Sequence, residues 1–401
     1  MKSYIMLLKS NNTLRRLSFI QLITYFGAWF SNIAIYTLLL QLEVSSEVVA
    51  FVAMLHFLAG VIQAPFSGVM IDSIKPKKLM LTLILVEFIS TFLLIYIVDI
   101  SDLIFLYTLV FLKMAAASFY FTSEMSLLPK ILVGDELQKA NELHSIIWSL
   151  SYTFGMSVSG FVVYVFGIKV AFFLDSIMFF IAFILLYQIE IDVKLSNIKE
   201  NVLFMIKDTM YYLADNSKAF HLMILHAFVG FTAFDALVAL IVKQYYISFI
   251  ATSLALGLVH SSRAIGLVIG PIMLGKWVNN KRLVYIFIFQ GISIWIWAYF
   301  MDNFYLSLVA SLFVGFFTTT LWSYSYTLLQ KNVEEKYYGR IVAYNDMLFL
   351  SSAAFVSFMI GFLYSLEYSL ECIAFFMGVF FLIAAVYYSW IIRSKYIEEI
   401  F

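Results

Sequence analysis

The sequence predicts an all-α membrane protein of twelve transmembrane helices arranged as two six-helix halves. Composition is the first observation: 63% of the 401 residues are hydrophobic and only 12% charged, with a mean hydropathy of +0.94. Soluble domains carry about 25% charged residues, and no soluble fold hides this much apolar surface. The second is spacing. Apolar stretches of roughly 20 residues recur along the whole chain, and a helix of about 20 residues at 1.5 Å rise crosses a hydrocarbon core of about 30 Å. The third is a faint internal repeat, in which Gly60-Val-Ile-Gln-Ala-Pro65 resembles Gly266-Leu-Val-Ile-Gly-Pro271 and Leu127-Leu-Pro-Lys130 echoes Leu328-Leu-Gln-Lys331.

Residues 1–17 hold Lys2, Lys9, Arg15 and Arg16 but only a short apolar run at 4–8, too brief for a secretory signal, and read as a tail before the first span. Spans follow near 18–40, 47–70, 79–98, 103–124, 143–166 and 169–187, then 220–243, 252–275, 283–300, 304–329, 341–362 and 370–392. The loops at 43–47 and 99–102 are short and acidic. All but four of the 25 Lys and Arg residues (Lys113, Lys169, Lys243, Arg263) fall in the tails and the alternate loops. That bias places both termini in the cytoplasm of a cell with an inner membrane. The linker at 188–219 separates an N-terminal half, 1–187, from a C-terminal half, 220–401. Within it Ile198, Val202, Met205, Ile206, Met210 and Leu213 recur at helical spacing behind Asn197, a candidate cap, which predicts an amphipathic surface helix. Two six-helix halves repeated in parallel are the arrangement of many alternating-access transporters.

Between spans 2 and 3 stands Gly68-Val-Met-Ile-Asp72-Ser-Ile-Lys-Pro-Lys77-Lys78, which resembles the signature loop of the major facilitator superfamily. The resemblance implies a charge latch on the cytoplasmic side, built from Gly68, Asp72, Lys77 and Lys78. In it Asp72 caps the start of span 11 near Gly339-Arg340, and Lys77 reaches Glu124 at the end of span 4. Gly27-Ala-Trp29, Lys139-Ala140-Asn141 and Ala171-Phe-Phe-Leu-Asp175 are similar to the branch of macrolide-efflux-like and enterobactin-exporter-like proteins, which implies export of a small organic molecule. Two departures are visible: Ala28 stands where many relatives have an Asp, and Gly155-Met-Ser-Val-Ser-Gly160 lacks the Pro of the antiporter signature.

Ionisable side chains inside hydrocarbon cost roughly 2.5–3.5 kcal/mol on insertion scales and mark pathways or proton relays. Six acidic or basic side chains lie away from the ends of the predicted spans: Glu87, Lys113, Asp175, Asp235, Arg263 and Asp346. Counting along the spans puts Glu87 roughly 18 Å and Lys113 roughly 15 Å below the outer boundary on adjacent antiparallel helices, close enough to pair. Two readings stand for them, a structural ion pair or a protonatable Glu answering to Lys113 and to substrate. Asp235 and Arg263 differ by roughly 10 Å in depth, so Arg263 is a candidate for an anionic substrate, to which its guanidinium offers paired donors. Asp346 sits near a gate, and Asp175 near the outer end reads as a capping or packing residue. His56, His221 and His226 read as hydrogen-bonded packing residues. Tyr25, Trp29, Trp322 and Tyr326 are candidates to line a cavity for a ring-bearing solute.

A formal net charge of +0 argues against a nucleic-acid partner. Cys372 is the only cysteine, so there is no disulfide framework and no thiolate metal cluster. Gly270-Pro-Ile-Met-Leu-Gly275-Lys276 imitates a P-loop, but Trp277 replaces the required Ser or Thr and no strand precedes it. The expectation is a monomer that needs no cofactor, metal or nucleotide and is not an enzyme. Its partners are the bilayer, a small solute and protons; the alternatives are a receptor or scaffold that kept a transporter fold without transport, and an importer of the same fold.

Overall fold

The computed structural model describes residues 2–132, 134–191, 202–334 and 337–393. Its helices are α1 (Lys2–Ser10), α2 (Asn12–Gln41), α3 (Ser46–Ser73), α4 (Pro76–Leu93), α5 (Leu103–Ile131), α6 (Gly134–Phe166), α7 (Ile168–Tyr187), α8 (Val202–Asp215), α9 (Ser217–Ala227), α10 (Asp235–Ile241), α11 (Thr252–Leu274), α12 (Leu283–Phe300), α13 (Phe304–Lys331), α14 (Tyr338–Ser365) and α15 (Leu370–Arg393). Twelve helical stretches among them are long and apolar enough to cross a membrane. Each coincides with one expected span. The predicted tail differs: it is the short helix α1 plus the first turn of α2, which starts where the Asn11 side chain accepts from the Leu14 N–H at 2.9 Å. Arg15 and Arg16 marked that stretch as a tail before the span, yet a capped helix carries charges out to water as well as a tail does. The linker helix is present as α8, whereas Asn197 and Ile198 lie outside the described residues.

Contacts divide the chain into two compact units, Met1–Val44 with Ile62–Ile198, and Ser45–Val61 with Lys199–Phe401. In the first unit α2 packs along α6 and α7, and α4 packs along α5 and α7. Leu17, Ile20, Met80, Ile84, Tyr120 and Phe179 form the middle of its core. Leu7 of α1 joins Leu14, Leu128 and Ala140 in a smaller cluster.

In the second unit α11 lies against α13, and α12 against α13 and α15. The α11–α13 crossing depends on missing side chains: a Cβ on Gly266 would strike the Leu312 carbonyl, one on Gly270 the Phe316 carbonyl, and one on Gly315 the Arg263 carbonyl. Lipid tails are as apolar as the helices, so close backbone approach and dispersion supply the association that water would drive elsewhere.

The seventh span is discontinuous. Helix α9 tightens into a 3-10 turn at Phe228–Thr232, Ala233 leaves the helical region with ψ 81°, α10 begins at Asp235, and a π-turn at Val242–Tyr246 ends it. The sequence pattern reads as one uninterrupted span because apolar content is the same on both sides of the break.

Gly270→Leu should therefore lower the stability of the detergent-solubilised protein by about 1–3 kcal/mol through overpacking. Gly339→Ala, at a position with open space for a Cβ, should leave the melting temperature unchanged.

Candidate functional site

Three fully enclosed ionisable groups meet inside the first unit. Lys113 on α5 is 0% exposed, Asp175 on α7 is 0% and Glu87 on α4 is 1%. The Lys113 ammonium donates to Ser31 Oγ at 2.5 Å and to the Ala28 carbonyl at 3.2 Å, and Nζ lies 3.8 Å from Asp175 Oδ2. It also stands 5.5 Å over the Phe179 ring. Gly27 makes room for this: a Cβ there would come within 2.5 Å of Asp175 Oδ1. Glu87 lies within electrostatic reach of both partners, and its Oε2 has no hydrogen-bond partner among the described residues.

The ion pair thus forms with Asp175, a buried-charge candidate also read as a capping or packing residue, while Glu87, the expected partner, is the third member. Geometry explains it. Spans 4 and 6 run in the same direction, and Lys113 and Asp175 lie about 15 Å and about 10 Å from their helix starts. Helical side chains lean toward the N-terminus, so the long Lys113 stem closes that gap. One ammonium facing two carboxyl groups leaves a charge imbalance that one bound proton removes.

The second cluster lies at the break in the seventh span. Where the helix opens, Arg263 Nη2 of α11 donates to the Thr232 carbonyl at 2.8 Å while the guanidinium stands 4.9 Å from the Phe234 ring. Inside hydrocarbon such a carbonyl must be satisfied by protein. One turn earlier on α11, His260 Nδ1 lies 3.8 Å from Asp235 Oδ1, on the far side of the break. Asp235 and Arg263 therefore belong to one cluster despite their separation in depth, with His260 beside them.

Of the expected latch residues, Lys77 and Glu124 take partners other than each other. Lys77 donates to the Tyr187 carbonyl at 2.8 Å and stands 5.5 Å over the Tyr187 ring, so it does not reach Glu124. Glu124 is 2% exposed and accepts from the Tyr25 hydroxyl at 3.2 Å. Arg340 Nη1 lies 3.2 Å from Asp208 Oδ2 of α8, and Tyr212 of α8 stacks on Tyr337 with ring centroids 4.1 Å apart. Lys78 is exposed, and the Gly68 and Asp72 side-chain positions lie outside the described residues. Asp346, in the third turn of α14, has Asn345 Nδ2 at 3.5 Å.

Of the aromatic candidates, Trp29 packs edge-on against Trp148 and Tyr152, with centroids 5.8 and 4.7 Å away. Trp322 stacks on Tyr326 at 5.1 Å, and both flank the buried His226, which shares a hydrogen bond of 2.8 Å with Ser325. His56 and His221 are likewise hydrogen-bonded, to the Val52 carbonyl at 2.8 Å and the Tyr387 hydroxyl at 2.6 Å. Sequence reasoning missed Ser31, His144, Asp208 and His260. The three-residue spacing of His260 and Arg263 on a polar stripe was the one signal available for any of them.

The sequence profile of the Major Facilitator Superfamily matches residues 17–245. Solved structures of similar fold include a D-xylose-proton symporter (11% identity, 96% of this chain and 98% of that one covered, TM-score 0.77). A POT family transporter, PepTSo, aligns at 14% identity over 97% of this chain and 99% of its own with a TM-score of 0.74. The nucleoside transporter NupG aligns at 13% identity over 96% and 100% with a TM-score of 0.73. No curated protein matches the chain in sequence.

Replacing Lys113 by Met should strand two buried acids and cost about 3–5 kcal/mol of stability, read by thermal melting in detergent. The loss should shrink as the pH falls and the acids take up protons. Combining Lys113→Met with Asp175→Asn should recover part of it at neutral pH.

Proposed function

The chain belongs to the major facilitator superfamily, and from that premise we propose that it is a secondary transporter exporting a small organic molecule, coupled to protons through Lys113, Asp175 and Glu87. The observation that carries the coupling is the enclosed cluster itself. Three ionisable groups inside hydrocarbon are costly, and a proton bound there changes the charge that the surrounding helices must accommodate. Conformations that expose the cluster to opposite sides then differ in proton affinity, and the proton gradient biases the cycle. The reading needs no nucleotide, since Trp277 and the membrane-embedded setting remove the only P-loop-like stretch.

Outward transport is supported by the residues shared with the efflux-like branch: Gly27-Ala-Trp29, Lys139-Ala140-Asn141 and the stretch ending at Asp175. The segregation of Lys and Arg supports an inner-membrane location with both termini in the cytoplasm. Trp29 in the first unit, and separately Trp322 and Tyr326 in the second, are the aromatic candidates for a ring-bearing solute; Lys77 and Lys78 of the first unit, and separately Arg340 and Asp346 of the second, are the gating candidates. Import by the same fold is the second reading, and the structural likeness to a D-xylose-proton symporter favours it.

The test uses purified protein in liposomes loaded with a defined mixture of drugs and metabolites, with a pH gradient imposed and solutes followed by mass spectrometry. At least one solute should move against its own gradient when protons move the opposite way, and Asp175→Asn should slow that movement about a hundredfold. Movement of solute in the same direction as the protons establishes the import reading. Flux indifferent to the gradient contradicts the coupling.

A further inference from the structure

The geometry points to a second proton-handling element in the first unit: His144, Tyr25 and Glu124 form a directional relay that delivers protons to the buried Glu124 carboxylate. The inference rests on the proton-coupled reading and adds to it the route by which protons enter.

The polarity of the chain follows from one amide. Gln21 Nε2 of α2 lies 2.8 Å from His144 Nδ1 and 3.2 Å from the His144 backbone carbonyl. A carbonyl only accepts, so the Gln21 group facing it is the NH2, and its second hydrogen is donated to Nδ1. Nδ1 is therefore bare and the imidazole hydrogen sits on Nε2. Nε2 in turn lies 3.5 Å from the Tyr25 hydroxyl oxygen, which leaves the Tyr25 hydrogen free for Glu124 Oε2 at 3.2 Å. Every donor in the series points toward Glu124. The contact of 3.5 Å is the longest, and it must shorten for a proton to pass.

The three side chains are buried, at 4% for His144, 6% for Tyr25 and 2% for Glu124. Phe121 covers the imidazole, with ring centroids 5.0 Å apart, and holds it edge-on to Tyr25 at 5.6 Å. The titratable groups facing the relay are Tyr120 on α5, whose ring lies 6.5 Å from that of Tyr25, and Glu87 on α4. Helix α2 otherwise presents the neutral Gln21, and α6 presents His144 alone among the described residues. Along α5, Glu124, Tyr120 and Lys113 fall within about 20° of one face, and Glu124 is about 16 Å from Lys113. The relay thus lies on the side of α5 that carries the coupling cluster, nearer the helix end.

The transfer balances. A proton arriving at Nδ1 displaces the Gln21 donor, the Nε2 proton passes to the Tyr25 oxygen, and the Tyr25 hydroxyl proton passes to the Glu124 carboxylate. Tyr25 ends as a neutral phenol, Glu124 as a carboxylic acid, and His144 as a neutral imidazole bearing its hydrogen on Nδ1. Return of that hydrogen to Nε2 by exchange resets the chain.

Two solute-free measurements on full-length protein in lipid bilayers test this. With labelled histidine, nuclear magnetic resonance should show His144, identified by loss of its signal in His144→Gln, with hydrogen on Nε2 at neutral pH. Hydrogen on Nδ1 overturns the proposal. Infrared detection of the Glu124 carboxyl band, identified by its loss in Glu124→Gln, should follow a pH jump, and in Tyr25→Phe the response should be about a hundredfold slower. Tyr25→Phe keeps the ring and its packing, so an unchanged response overturns the relay. Since neither readout involves a solute or Lys113, failure here leaves the coupling at Asp175 standing, and failure of that coupling leaves the relay measurable.

Discussion

In hydrocarbon, no water stands ready to satisfy a polar atom, so each polar group must find its partner within the protein or be removed from it. That constraint accounts for both clusters. At the break in the seventh span the Thr232 carbonyl accepts from Arg263 at 2.8 Å. Lys113 is enclosed, and Ser31, the Ala28 carbonyl and Asp175 surround its ammonium. The same constraint favours the glycine crossings of α11 and α13, because where burial supplies little drive between helices, backbone proximity must supply it.

The two clusters differ in what their partners permit. Around Lys113 the excess of carboxyl groups over cations makes charge the variable, since one bound proton changes the balance. Around Arg263 the partner is a backbone carbonyl at a helix break, so geometry is the variable, and straightening of the span would release the guanidinium. Asp235 just after the break and His260 on the neighbouring α11 add a pair whose attraction depends on a proton. The rigid α11–α13 crossing, with Gly315 under the Arg263 carbonyl, gives His260 and Arg263 a fixed base.

The spans were legible because a lipid-facing helix must be apolar for its whole length, and composition reports that directly. What lay within the spans was less so. The break at 228–234 contains Gly230 but is as apolar as the helices around it, so no change in pattern announced it. Depth counting grouped Glu87 with Lys113, and they do share a cluster, but it did not find Asp175 as the ion-pair partner, because it treats side chains as points and omits how far the Lys113 stem leans. The latch suggested by the signature loop placed Lys77 on Glu124, whereas Tyr187 holds Lys77 and Tyr25 holds Glu124. His144 and Gln21 carried no signal at all, since their roles arise from a crossing of α2 and α6 that a single sequence does not state. Arg340 was legible as a charge at a helix start, but its partner Asp208 sits on the linker helix, seen only as an amphipathic pattern.

The account stands on the claim that the enclosed acids beside Lys113 exchange protons with the surrounding solution. Infrared spectra of the protein in lipid, recorded from mildly acidic to mildly alkaline buffer, test it, with the bands of Glu87 and Asp175 assigned by their loss in Glu87→Gln and Asp175→Asn. The account predicts that one of the two changes protonation across that range and that Lys113→Met shifts the pH at which it does so. Bands that stay constant throughout, with and without Lys113, would contradict it.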